Sequence, residues 1–388
     1  MARRELYEQH LADKLQECTN KGTLRQLVCN ENLIDLCSND YLGLATNPPK
    51  ELKQFETDVL LQHGATGSRL VTGNSEYHEA VEAQMAEFHA CDAALLFNSG
   101  YTANLALLSS VPQSKDLILY DSLCHASIRE GIRLSTANSY PFRHNDLEHL
   151  ESKLKRSSGL IYVVVESLYS MDGDLAPLTE LAELCDRYAA ALIVDEAHTT
   201  GIFGPNGAGL VQQQGLQDRV FARMHSFGKA LGCHGAIIVG SRNLYSYLVN
   251  FAKPFMFSTA PAPSSLQTLD RHYQLLPSMN RHRSKLLELV EHFTQIAQGL
   301  PLPVSQNPGP IQYVLVRDND LAVQLSLQLR QHGINIFPIR SPSVASGTER
   351  LRVSLHSFNS TSEIDQALAI IEEFLSSTSL TMKTEAYG

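Results

Sequence analysis

An α/β architecture, with a large and mostly parallel sheet followed by a smaller α+β lobe, is what this sequence predicts. Three observations carry the prediction. Short apolar runs without polar alternation recur through the middle of the chain, as in strands buried on both faces. Helical apolar stripes lie between those runs. Beyond about residue 264 the pattern turns to long helices and then to a mixed order of strands and helices.

In chain order, the first 45 or so residues read as an N-terminal arm, charged and amphipathic, without the apolar core of a signal peptide. A large domain follows over 46–270 and a smaller one over 271–388, as suits 388 residues. Strands are expected over 93–97, 117–120, 161–165, 191–194 and 236–239. Ser75 is a plausible N-cap for a helix that turns Tyr77, Val81, Met85 and Phe88 inward, and 178–188 carries a second stripe. The smaller lobe reads as strand 311–316, helix 321–331 stopped by Gly333, strands 334–338 and 350–355, and helix 362–375. Residues 376–388 are expected to fray.

Composition narrows the function classes. With 43% hydrophobic and 19% charged residues the chain has the make-up of a soluble enzyme, and its net charge of -10 disfavours a nucleic-acid partner. Seven scattered cysteines, none in a C-x-x-C spacing, indicate neither a disulfide framework nor a zinc site and favour a reducing cytoplasm; no metal is expected. No apolar run approaches membrane-spanning length.

The chemistry-bearing residues follow the expected strands, where open parallel sheets bind ligands. Asn98-Ser99-Gly100-Tyr101 opens a helix whose N–H groups suit a phosphate. His125 follows the next strand, Glu166 to Asp174 another, and Asp195 with His198 a fourth. Lys229 sits in the glycine-flanked turn Ser226-Phe227-Gly228-Lys229-Ala230-Leu231-Gly232. A lysine amine, an aspartate for a protonated ring nitrogen and a histidine for the cofactor's edge suit an enzyme that holds an aldehyde cofactor as a Schiff base. Each residue alone has a plainer reading: a helix cap for Asp195, a satisfied loop side chain for His125, a solvated charge for Lys229. Asp195-Glu196-Ala197-His198 also spells a helicase box, but Gly228-Lys229 is followed by Ala230 and lacks the spacing of a P-loop.

Six motifs in order carry a family resemblance: Ser38-Asn39-Asp40-Tyr41-Leu42-Gly43-Leu44, Gly67-Ser68-Arg69-Leu70-Val71-Thr72-Gly73, His125-Ala126-Ser127, Ser170-Met171-Asp172-Gly173-Asp174, Asp195-Glu196-Ala197-His198 and Ser226-Phe227-Gly228-Lys229. From about Leu24 to Phe374 the chain resembles the α-oxoamine synthases, pyridoxal-phosphate transferases of fold type I (aspartate-aminotransferase-like). The resemblance implies that Lys229 forms the Schiff base with pyridoxal 5'-phosphate, that Asp195 pairs with the pyridine nitrogen, that His198 bonds the phenolic oxygen, and that His125 stacks on the ring and assists proton transfer. It likewise implies cofactor contacts for Gly100, Tyr101, Ser170 and Ser226. Ser258 and Thr259 would reach the phosphate of a neighbouring subunit, hence a homodimer with shared active sites. Asn39 and Arg352 would hold the amino-acid carboxylate, with Arg25 and Ser343 at the acyl substrate; Arg25 and Arg340 read equally well as solvated surface charges.

The branch it is most similar to condenses L-alanine with a pimeloyl thioester, on coenzyme A or acyl carrier protein, in biotin biosynthesis. A glycine-using acetyltransferase of the same family is the nearest alternative, and the 67–73 loop argues against it. An aminotransferase on the same fold is the alternative from another class. Three departures stand out: Ser226 where threonine is common, Gly64-Ala65-Thr66-Gly67 in place of a more glycine-rich loop, and a threonine within His198-Thr199-Thr200-Gly201 where a smaller residue is usual.

Overall fold

A computed structural model describes residues 3–29, 32–49, 63–157, 159–299 and 304–385. Its contacts gather into two compact units. One holds the described residues through Ser38 together with Glu288–Leu355 and those from Asn359 onward; the other holds Asn39–Leu287 with His356–Phe358. The chain opens in the first with helix Arg3–Asn20 and the short strand β1 (Ile34–Asp35).

The larger unit is built on seven strands: β2 (Ala93–Phe97), β3 (Leu117–Asp121), β4 (Asn138–Phe142), β5 (Ile161–Glu166), β6 (Ala191–Asp195), β7 (Ala222–Ser226) and β8 (Ala236–Gly240). Their order across the sheet is β2-β8-β7-β6-β5-β3-β4. Only β8 runs against its neighbours, so the other six point the same way. β5 is buried at all six positions, which is why its sequence is a continuous apolar run ending in Glu166. Residues alternate between two cores: Ile118, Val164, Ile193, Met224 and Ile238 pack with Leu107 and Ile128 on one face. Leu119, Val163, Val165, Leu192 and Val194 pack with Leu150, Leu181 and Val211 on the other. Each such side chain contributes about 1.5–3 kcal/mol by leaving water.

The five expected strands are present, each within a residue of its expected end. β4 and β7 were not anticipated, and each has a physical reason. β4 reads Asn-Ser-Tyr-Pro-Phe because it is an edge strand, paired only with β3, where an exposed face and Pro141 are tolerated. β7 is central yet carries Arg223 and His225, both buried. Arg223 donates to the His89 carbonyl, and His225 Nδ1 lies 2.8 Å from Thr200 Oγ1 while its ring stacks on His89 at 3.8 Å. Thr200, one of the two threonines after His198, thus partners a buried histidine.

In the smaller unit, β9 (Ile311–Leu315), β10 (Ile334–Asn335), β11 (Phe337–Ile339) and β12 (Arg350–Ser354) complete the strands. β1 pairs in parallel with β10, and an antiparallel sheet runs β11-β12-β9. The strand expected over 334–338 is split at Ile336, and Pro338 sits on the edge strand β11. Asp318 caps helix Asn319–Gln331 through bonds from the N–H groups of Asp320 and Leu321, and Gly333, at φ +78°, ends it. The last helix runs Thr361–Glu385, so the fraying expected from 376 is replaced by helix as far as Glu385; 386–388 lie outside the described residues.

Candidate active site

Because β2, β3, β5, β6 and β7 share a direction, their carboxyl ends share one edge of the sheet, and Gly100, Tyr101, His125, Ser170, Asp195, His198, Ser226 and Lys229 lie at or after those ends. After β2, the Ser99 hydroxyl accepts from the Thr102 N–H at 3.1 Å and starts helix Gly100–Ser110. A Cβ on Gly100 would lie 3.3 Å from the Ser226 side chain, so the two cofactor candidates are in close approach. Tyr101, beside them, is 46% exposed.

Asp195 is the hub. Its Oδ1 accepts from the Ala197 N–H at 2.9 Å and its Oδ2 from the Asn104 amide at 2.8 Å. The same Asn104 nitrogen lies 3.0 Å from Ser127 Oγ, and Ser127 Oγ lies 2.8 Å from His125 Nδ1. Burial lowers the His125 pKa; Asp195 opposes the shift, while Lys229 and Arg129 add to it. Glu166, opposite Asp195 in the β5–β6 register, accepts from the backbone N–H groups of His125 and Ser170. Burial, then the charge of Asp195, pushes its carboxyl up to about 8, against the pull of Lys229.

His198 Nδ1 lies 2.8 Å from the Tyr41 hydroxyl, which also donates to Asn39 Oδ1 at 2.9 Å. One tyrosine thus links the residue expected at the phenolic oxygen to the one expected at the substrate. The Lys229 turn closes by a 2.7 Å bond from the Gly232 N–H to the Lys229 carbonyl. Gly232 has φ +58°, and a Cβ there would come within 2.5 Å of the Ala45 nitrogen, so only glycine lets this turn lie against the 38–44 motif.

The 67–73 motif has a structural part. Arg69 makes a buried two-point ion pair with Glu82 at 2.8 and 3.0 Å, and Glu82 also accepts from the Leu96 N–H of β2. Ser68 bridges to Thr259, and the Asn98 amide donates to the Thr259 carbonyl at 2.8 Å. These contacts place Ser258 and Thr259 beside the start of helix Gly100–Ser110.

In the smaller unit, Arg25 Nη2 donates to Ser343 Oγ at 3.3 Å, joining the two residues expected at the acyl substrate. Arg352 on β12 is 8% exposed and donates to Ser354 Oγ at 2.7 Å. The sequence reading gave no role to Asn104, Ser127, Glu166 or Tyr41, although all four stand in or beside the quoted motifs. The available signal was the burial of polar residues next to apolar runs; Asn104 meets Ser127 23 positions away, and Tyr41 meets His198 157 positions away.

A lysine, a bonded carboxylate, two imidazoles and a capped helix N-terminus fit a pyridoxal-phosphate group. The helix end suits its phosphate, the carboxylate its ring nitrogen and the lysine its aldehyde. The model of the aminotransferase class I and II family matches residues 31–371, and the chain belongs to that family. Its relatives there are α-oxoamine synthases. 8-Amino-7-oxononanoate synthase of Anaeromyxobacter dehalogenans is 40% identical over 344 residues, 88% of this chain and 86% of that one. Among solved structures, serine palmitoyltransferase of Sphingomonas wittichii superposes with a TM-score of 0.86 at 26% identity, covering 98% and 100% of the two chains. 8-Amino-7-oxononanoate synthase of Francisella tularensis superposes at 0.74 with 28% identity, covering 90% and 99%.

Proposed function

We propose that this enzyme binds pyridoxal 5'-phosphate through Lys229 and condenses L-alanine with a pimeloyl thioester, on coenzyme A or acyl carrier protein. The products are 8-amino-7-oxononanoate, carbon dioxide and the free thiol, a step of biotin biosynthesis. The observation that carries the reading is the hydrogen-bond chain that joins Asp195 to His125 at the sheet edge, with Lys229 close enough to act on His125 by its charge. It is joined to relatives of the same activity that match nearly the whole chain.

When bound, the cofactor supplies an electron sink for the carbon that loses its proton. Asp195 keeps the ring nitrogen protonated, and its two bonded oxygens fix its direction. Lys229 would hold the aldehyde of the cofactor, and its free amine would take the α-proton of the amino acid. His198, held by Tyr41, bonds the phenolic oxygen; Gly100, Tyr101, Ser170 and Ser226 complete the cofactor's contacts. Asn39 and Arg352 take the amino-acid carboxylate, and Arg25 and Ser343 the acyl substrate. Ser258 and Thr259 serve the phosphate of a second copy, in a homodimer. Among the described residues no helix is long and apolar enough to cross a membrane and all seven cysteines are free; we place the enzyme in the cytoplasm.

The test is purified protein given pyridoxal phosphate, L-alanine and pimeloyl thioesters, with the amino ketone read by mass spectrometry. Product is expected from the wild type, and Lys229→Ala should lose the visible absorbance of the bound cofactor and at least about a thousandfold in turnover. Normal turnover by Lys229→Ala, or transfer of the amino group to a keto acid without thioester, would overturn the reading.

A further inference from the structure

We propose that Asn104 and Ser127 are positioning residues that fix His125 as its Nε2–H tautomer, making it a hydrogen-bond donor and not a base in the resting enzyme. The proposal rests on the function assigned above to the Asp195 and His125 pair and deepens it. The argument is one of counting protons along a buried chain. Asp195 is an acceptor when ionised, so the Asn104 side chain must turn its NH₂ group, not its oxygen, towards Oδ2. The second hydrogen of that NH₂ points to Ser127 Oγ at 3.0 Å. Ser127 then accepts there, and its own single hydrogen is free to go only to His125 Nδ1, 2.8 Å away. The Ser127 backbone N–H also approaches Nδ1, at 3.2 Å.

With two donors aimed at Nδ1, the ring proton of a neutral imidazole sits on Nε2. Neutrality is consistent with the direction in which burial shifts this group. Asn104, Ser127 and Asp195 are 3%, 1% and 6% exposed, so the bonds among these three are shielded from water, and the chain reaches the surface only at the His125 ring. The chain therefore transmits the ionised state of Asp195 to the donor direction of His125 without proton transfer. Proton abstraction is left to Lys229.

The test is solid-state ¹⁵N NMR of the cofactor-loaded enzyme labelled at histidine, with His125 assigned by its loss in His125→Gln. The wild type should show Nε2 protonated and Nδ1 bare by more than about tenfold at pH 7.5. Asn104→Ala and Ser127→Ala should each cut that preference to below about threefold and lower kcat about tenfold, with KM for alanine changed less than about threefold. A His125 protonated at Nδ1 in the wild type overturns the proposal, as does an unchanged tautomer ratio in the variants. If Asn104→Ala fails to fold, Ser127→Ala decides alone, since it removes one hydroxyl. Failure of the functional reading is distinct: it appears as absent cofactor binding or product in the wild type, whatever the tautomer.

Discussion

Glu166 shows how a single residue couples the site to the stability of the protein around it. It ends β5 beside Asp195 and accepts from the main chain of His125 and Ser170, so two loops depend on one buried carboxyl. Burial and the neighbouring charge raise it to about 8, so the folded, cofactor-free protein holds a proton that the unfolded chain releases above about 4.5. The sign follows: this group's contribution to stability falls as pH rises from about 4.5 to about 8, then levels off. The slope reaches at most about 1.4 kcal/mol per pH unit. Glu166→Gln removes the ionisation, and the difference between its urea midpoint and that of the wild type should shift in the variant's favour between pH 5.5 and 8. A constant difference across that range would refute the account. The residue was visible in the sequence as the polar end of an apolar run, but nothing there paired it with Asp195. That pairing needs β5 and β6 to be neighbours.

At the scale of elements, the loop after β3 and the 170–174 motif are fastened by His144, which follows the edge strand β4. Its Nδ1 lies 2.9 Å from Asp121 Oδ1 and its Nε2 2.7 Å from Asp174 Oδ2, while its ring meets Tyr169 edge-on at 4.5 Å. Asn145 adds bonds to both carboxylates. Burial lowers His144, but its bonds to the two aspartates outweigh that and set it at about 10. A histidine raised this far stabilises the fold fully below its unfolded value near 6.5 and loses that contribution as pH rises through 10. His144→Gln should therefore cost about 2–4 kcal/mol at pH 6, measured by urea unfolding, and the gap from wild type should narrow as pH rises from about 6.5 to about 10, then level off. A gap unchanged by pH would show that His144 is not charged. β4 itself was illegible because edge strands need neither apolar residues nor full pairing, and β7 because its Arg223 and the Nδ1 of its His225 meet partners elsewhere along the chain. The strands with apolar residues on both faces were all legible, since burial on two sides leaves no other sequence solution.

For the whole molecule, the sharpest expectation concerns the second copy. If Ser258 and Thr259 serve a neighbouring subunit, Lys229→Ala and a Ser258→Ala/Thr259→Ala chain fail by different means. Refolded together, they should form hybrids in which one of two sites is intact, recovering about a quarter of wild-type activity at equal mixing. No recovery, with hybrids present by native mass spectrometry, would mean that each site is built from one chain. By itself the sequence determined the kinds of chemical group present and the strand ends they follow, because strand burial and helix capping are local and leave a local pattern. It also determined the family, through motifs whose order survives divergence. Only the tertiary structure decided which distant groups touch: Asn104 with Asp195 and Ser127, Tyr41 with His198, Glu166 with the His125 loop. The physical reason is that those hydrogen bonds depend on strand order and direction, and on the close approach that Gly100 and Gly232 permit. No run of neighbouring residues encodes either one.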